Sequence, residues 1–304
     1  MTYRAVRCLG CDAPDLARRA AITAPFVAAR VFQRSAVICN LAYCTICGLA
    51  FFEDRYEPTE AARLYADYRN ETYYQERHHW EPWYSRAFNE RLGGAEEMRH
   101  RREVYAGILH RHAGDEVIES VLDYGGDRGQ LMLGGPGQKY FVFDISGVEP
   151  EADVVSLSTA SLADQKFDLV LLCEVLEHVS EPLQVLWDVL NHVKPGGLLY
   201  ITVPDLEFPF ADIPAGAWYR HYLKFLLKNR WLTLLGDFWS TGWKVKFARI
   251  PPMGFAKMHE HVNFFKMASL EALLVRAGVQ LLGCETSAQG RGLIALCRVP
   301  ATIQ

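Results

Sequence analysis

Val121-Leu122-Asp123-Tyr124-Gly125-Gly126-Asp127-Arg128-Gly129 decides the fold: an apolar run ends on an acid and passes into a glycine-rich turn before Leu131. Such a turn lets backbone approach a ligand closely, because no Cβ stands in the way and a positive φ costs glycine nothing. Downstream, Asp144 ends a second apolar run, Tyr140 to Asp144, at a place where a carboxylate can accept both hydroxyls of a ribose. The two acids at this separation are more informative than the glycines alone. A dinucleotide fingerprint anchored on Gly125 would need glycine at positions 127 and 130, which hold Asp127 and Gln130, and no Gly-Lys-Ser/Thr follows a strand to make a phosphate loop.

Working outward, the runs SVLDYGG, KYFVFDIS, FDLVLLCE and GLLYITVP alternate with helical stretches from Val117 onward. That rhythm predicts an α/β fold, a parallel sheet covered by helices. One helix is expected from Ser180 to Lys194, with Pro182 in its first turn, Leu183, Leu186, Leu190 and Val193 on one face, and Gly196-Gly197 as its stop. Residues 205–257 break the rhythm with Pro-punctuated, aromatic-dense sequence and read as an insertion over the active face. The alternation resumes over 261–299, with a helix from Ser269 to Ala277 and a last strand LIALCRV. Upstream, 56–112 is Arg- and Tyr-rich and ends in a helical pattern from Glu96 to His112; strand-like runs are expected only after it. The expected organisation is a 1–55 cysteine-bearing unit, a 56–112 helical linker or lid, and a 113–304 sheet domain.

Composition narrows the partners. The 304 residues carry 32 Lys and Arg against 36 Asp and Glu, a net charge of -4, and half of them are hydrophobic, so a folded core is assured and a dedicated nucleic-acid binder, which would be basic, is disfavoured. No uninterrupted apolar stretch marks a membrane span or secretory leader, which predicts a cytoplasmic protein. In a reducing compartment the eight cysteines are not a disulfide framework. Cys8-x-x-Cys11 and Cys44-x-x-Cys47-Gly48 are two knuckles that can gather four thiolates around one tetrahedral Zn2+; with no open position, the ion would be structural. Cys39 is the spare, expected to be buried. Four reduced cysteines without metal is the alternative.

The blocks VLDYGGDRG, FVFD, FDLVLLCEVLEHV, VKPGGLLYITVP and HEHVNFFKMASLEALLVRAG, in this order, resemble a class I S-adenosylmethionine-dependent methyltransferase over about residues 96–300. The resemblance implies a Rossmann-like seven-stranded, mostly parallel sheet whose last strand is antiparallel. It implies a methionine-side loop of Asp123, Gly125, Gly126 and Gly129, a ribose acceptor in Asp144, and Cys173 and Glu174 along the cofactor's other side. The family's middle glycine is Asp127 here, and Ser156 to Thr159 stand where an adenine-binding acid is usual. The knuckles followed by Phe51-Phe52 and Tyr56, Tyr65, Tyr68, Tyr73 and Tyr74 resemble the sugar C-methyltransferases that act on nucleotide-linked deoxysugars. That likeness implies a general base at His261 with Glu260 and His259 beside it, although the family's tyrosine before the motif is Met258.

Methyl transfer from a sulfonium needs an in-line approach, and a hydroxyl or carbon acid also needs a base near neutral pH. His261 and, in Glu177-His178, His178 are the candidates; each could instead be a structural hydrogen-bonder. Trp218 to Trp239 reads as one amphipathic helix with Arg220, Lys224 and Lys228 on its polar side. It is expected to be a lid, with contact to an anionic membrane surface as the lesser reading, because aromatic stripes at helical spacing usually pack against their own domain. The function expected is S-adenosylmethionine-dependent methylation of a small polar acceptor, a nucleotide sugar or glycan precursor. The alternatives are an RNA methyltransferase with a zinc knuckle and a non-catalytic partner protein that keeps the cofactor domain.

Overall fold

In the computed structural model, which describes residues 4–68, 70–91, 94–114, 116–132, 137–205, 208–287 and 292–301, two units are built from interleaved stretches of chain. One comprises Met1–Leu92 with Glu207–Phe264, the other Gly93–Leu206 with Phe265–Gln304. The chain runs through β1 (Leu16–Thr23), α1 (Pro25–Arg30), β2 (Ile38–Cys44), β3 (Ala50–Phe52), α2 (Pro58–Tyr65), α3 (Glu71–Trp80) and α4 (Arg86–Arg91). Next come α5 (Ala95–Ala113), β4 (Ser120–Tyr124), β5 (Lys139–Phe143), β6 (Val154–Ser156), α6 (Thr159–Leu162), β7 (Phe167–Cys173), α7 (Pro182–Leu190) and β8 (Val193–Pro204). Then follow α8 (Ala217–Leu227), α9 (Arg230–Phe247), β9 (Lys257–Met258), β10 (Asn263–Phe264), α10 (Met267–Ala277), β11 (Gln280–Thr286) and β12 (Gly292–Arg298).

The second unit holds the expected α/β architecture. Its seven strands lie in the order β11-β12-β8-β7-β4-β5-β6, with β8, β7, β4, β5 and β6 parallel and β12 antiparallel to both its neighbours. The unbroken apolar run of β7 follows from burial on both faces: Leu169, Val170, Leu171 and Leu172 are all inaccessible. Chain reversal at the carboxyl end of β4 brings the glycine turn to the edge where ligands of such sheets bind. Helix α7 is shorter than expected, because Glu181 rather than Ser180 caps it and Val193 already belongs to β8.

The first unit departs from the sequence reading, which expected no strand before residue 113. It contains a five-stranded sheet in the order β10-β3-β2-β1-β9. β1, β2 and β3 form an antiparallel meander. Its two edges are completed by residues from the far side of the other unit's sequence: β9 pairs parallel with β1, and β10 antiparallel with β3. β1 was hidden by Arg18 and Arg19, which interrupt its apolar pattern. In the fold Arg18 bonds Glu53 at 2.6 Å, and Arg19 bonds the Ile213 carbonyl at 2.9 Å and lies over the Phe210 ring. Residues 207–264 are thus gathered with 1–92, where the sequence reading placed 205–257 in the sheet domain. The single helix expected over Trp218 to Trp239 is two: the Asn229 side chain accepts from the backbone N–H groups of Trp231 and Leu232, starting α9 afresh after α8.

Candidate functional site

In the sheet unit the turn after β4 is a cradle whose glycines have separate reasons. Gly125 and Gly129 take φ of 76° and 74°, in the left-handed region. Gly126 is required for space: a Cβ there would fall 2.1 Å from the Asp123 carboxyl carbon. Asp127, at the family's middle glycine, itself adopts φ 55°. Its N–H donates to Asp144 Oδ2 at 2.9 Å, while Asp144 Oδ1 accepts from the Ser146 N–H at 2.7 Å. Asp144 therefore holds the turn in shape. Each of its oxygens keeps a further lone pair, so this role leaves acceptance of a ribose hydroxyl open. Asp123 is buried with its Oδ1 lacking a hydrogen-bond partner, and burial pushes its carboxyl up to about 7 against the pull of Arg101. An orphaned buried carboxylate beneath a turn that excludes a side chain fits a cofactor that brings its own donor or cation, such as the α-ammonium of S-adenosylmethionine.

Across the cradle, Cys173 ends β7 and Glu174 turns the chain at φ 57°, its N–H and carboxylate both tied to Thr202. Val175 then rests on Gly125, where a Cβ would approach its methyl to 2.7 Å. Burial pushes the Cys173 thiol well up, which keeps it neutral and unsuited to nucleophilic work. Arg101 on α5 lies 3.2 Å from Glu174 Oε1 and was not singled out from sequence. A signal was present: Arg101 shares a helical face with Met98, Tyr105 and Ile108, all buried, and a lone cation in an apolar stripe needs a reason. Glu177 was read only as a companion of His178. Both its oxygens are buried without an aligned hydrogen bond, His178 Nε2 is 3.7 Å away, and burial together with Glu174 pushes its carboxyl well above the usual range.

The four cysteines come together in the N-terminal unit. Their sulfurs all lie within 4.8 Å of one another, with Cys8 to Cys47 and Cys11 to Cys44 at 3.5 Å. A tetrahedral Zn2+ at about 2.3 Å from each sulfur requires spacings of roughly 3.7 Å, so the donor set fits. Both knuckles use one design. Cys8 N–H donates to Ala13 and Asp12 N–H to Cys8; Cys44 N–H donates to Leu49 and Gly48 N–H to Cys44, each at 2.9 Å. The residue after each second cysteine turns left-handed, Asp12 at φ 62° and Gly48 at 77°. Cys39 is buried elsewhere in the same unit.

The His259-Glu260-His261 segment also belongs to the N-terminal unit, whereas His178 belongs to the sheet unit. Two of the three are enmeshed in a buried charge network. His259 stacks on Phe26, accepts the Glu260 N–H at its Nδ1 and has Nε2 3.0 Å from Glu81 Oε1, without the alignment of a hydrogen bond. Glu260 accepts from Tyr73 and, at 3.0 Å, from Arg77. Arg77 continues to Glu81, and Lys257 bridges Glu81 and Asp237 at 2.7 and 2.9 Å. His259 and Lys257 together outweigh burial and hold the Glu81 carboxyl well below its usual range.

Comparison with known proteins agrees with the sheet unit. A family model described as a methyltransferase domain matches residues 98–282. A tRNA U34 carboxymethyltransferase of Desulfotalea psychrophila is 27% identical over 126 residues, 35% of this chain and 39% of the relative. A ubiquinone biosynthesis O-methyltransferase of Parvibaculum lavamentivorans is 29% identical over 87 residues, 25% of this chain and 34% of the relative. The chain thus spans between a third and two fifths of the length of these curated relatives. Among solved structures, the 1,6-didemethyltoxoflavin-N1-methyltransferase of Burkholderia thailandensis, with S-adenosylhomocysteine, aligns at 15% identity and TM-score 0.48 over 86% of this chain and 96% of that one.

Proposed function

This chain belongs to the methyltransferase-domain family that matches its residues 98–282, and from that premise we propose that it transfers a methyl group from S-adenosylmethionine to a small polar acceptor, a nucleotide sugar or glycan precursor. The observation that carries the cofactor is the orphaned Asp123 oxygen beneath a turn in which Gly126 has no room for a Cβ. Asp123, Gly125 to Gly129 and Asp144 would hold the methionine and ribose ends, with Cys173, Glu174 and Arg101 along the opposite wall. When bound, the cofactor supplies an electrophilic methyl on a sulfonium. What the chain must add is a base, a role assigned here to a histidine. The candidates are His261, whose neighbours His259 and Glu260 would position it through their contacts with Glu81, Tyr73 and Arg77, and His178 beside the buried Glu177. The net charge of -4 supports a small acceptor over RNA. A structural Zn2+ on Cys8, Cys11, Cys44 and Cys47 is part of the proposal, supported by their convergence.

The deciding experiment is calorimetric titration with S-adenosylmethionine followed by methyl-transfer assays on nucleotide sugars, with His261→Ala and His178→Ala in parallel. A base should show as a kcat lowered by ~10² to 10⁴ with cofactor affinity nearly intact and the acid limb of the pH profile removed. Binding without turnover on any acceptor would favour a non-catalytic partner. The relative named as a tRNA carboxymethyltransferase keeps an RNA reading in view, and steep loss of acceptor affinity with salt would select it.

A further inference from the structure

Helix α9 is amphipathic the wrong way round for a helix that packs on its own unit. Its inward positions are polar: Thr233, Asp237 and Ser240 are buried, bonding the Leu226 carbonyl, Lys257 and the Phe255 N–H. Lys244 is turned inward over the rings of Phe208 and Phe264, where burial lowers its ammonium to about 8. The outward positions are apolar, with Trp231 73%, Leu235 66%, Phe238 61% and Val245 83% exposed and Trp239 beside them. These residues recur at helical spacing along one face. Helix α8, packed on α9, exposes Trp218 and Phe225. An exposed apolar helix face of this kind marks a docking site.

Charge identifies what docks. Residues 213–249 carry seven Lys and Arg, namely Arg220, Lys224, Lys228, Arg230, Lys244, Lys246 and Arg249, against one acid, Asp237, which is buried on Lys257; of the seven, Lys244 is turned inward and Arg249 is paired with Asp212 just before the stretch. Cations flank both ends of the α9 stripe: Lys228 and Arg230 before it, and Lys246 after it. A second copy meeting this face through a two-fold axis would oppose cations with cations. Nucleic acid would use the cations and stack on the rings, but it offers nothing to Leu235 and Val245. An anionic bilayer surface satisfies every part at once: the stripe sinks into the boundary between headgroups and acyl chains, the tryptophans take interfacial positions, and the lysines meet lipid phosphates. No helix among the described residues is long and apolar enough to cross a membrane, which agrees with a helix lying along one. We propose that the α8–α9 hairpin seats this protein on the surface of an anionic lipid bilayer.

The test is sedimentation of the full chain with phosphatidylcholine vesicles, with and without about a third phosphatidylglycerol. Tryptophan quenching by acyl chains brominated near the headgroup is read in the same samples. Expected are binding to the mixed vesicles only, weakening as salt rises, and quenching on binding. Lys224→Glu with Lys228→Glu should lower partitioning at least about tenfold. Leu235→Ser with Phe238→Ser should abolish quenching; both positions are exposed, and an unchanged melting temperature and unchanged cofactor affinity would show the fold intact. The proposal is overturned if neither vesicle binds, if neutral and anionic vesicles bind alike, or if quenching persists in the Leu235/Phe238 variant. It is equally overturned if, without vesicle binding, Phe238→Glu dissociates a dimer seen by ultracentrifugation, or generic RNA binds through Lys224 and Lys228.

Discussion

Asp123 makes the unliganded protein's titration informative. Its carboxyl stands near 7 when folded and near 4 when unfolded, so it stabilises the native state fully below about pH 4, and that contribution is lost as pH rises through about 7. A cofactor ammonium would favour the ionised form and reverse the preference. S-adenosylmethionine affinity should therefore climb with pH up to about 7, and binding near pH 6 should release a proton, visible as a buffer-dependent enthalpy. In Asp123→Asn both signs should vanish; a wild type that binds without proton release would remove Asp123 from contact with the cation. Gly126→Ala makes a simpler claim: with a Cβ 2.1 Å from that carboxyl, calorimetry should show cofactor affinity lower by tenfold or more while the melting temperature holds within a few degrees. Asp123, Asp144 and the glycines were legible because glycine in a turn is a direct record of backbone geometry. Arg101 was not singled out, and Glu177 was named only together with His178, since their significance lies in burial, which a charged residue's identity alone conceals. Gly126, placed in the methionine-side loop by the resemblance, proves to be a matter of space.

At the level of the element, the two knuckles were readable because Cys-x-x-Cys spacing is itself the geometry of the turn, and the four sulfurs do converge. Metal analysis should find one Zn2+ per chain, and Cys44→Ser should lose it; a metal-free wild type purified without chelator would end the assignment. The break between α8 and α9 was missed because the apolar pattern runs on through Asn229 without a proline or glycine. Asn229→Ala removes the acceptor for two N–H groups and should cost ~1 kcal/mol in chemical denaturation without changing the slope, since the same surface is still exposed. A cost near zero would mean that packing, rather than the cap, sets that boundary. β9 and β10 could not have been found: each is two residues long, too short for any period, and each exists only as a partner for a strand far away in sequence.

For the whole molecule, the composite first unit gives chelation a directional effect. Removing zinc should lower a first melting transition assigned to residues 1–92 and 207–264 and leave the seven-stranded unit's transition in place. One transition that shifts as a whole would show instead that the units unfold together. The sheet unit was legible from rhythm because its strands alternate with helices along the chain; the first unit was not, because both its sheet edges come from another part of the sequence. That interleaving bears on how the protein is made. As the chain leaves the ribosome, the β1-β2-β3 meander emerges with both its borders unpaired, and the segments that complete them, β9 on β1 and β10 on β3, follow only after β4 to β8 have been synthesised. At ~5 to 20 residues per second that interval is roughly ten to forty seconds, during which two open strand edges stand ready to recruit neighbouring nascent chains. Arg18 and Arg19 on β1, charged groups set in an edge strand, are the kind of residue that discourages such pairing until the proper partner arrives.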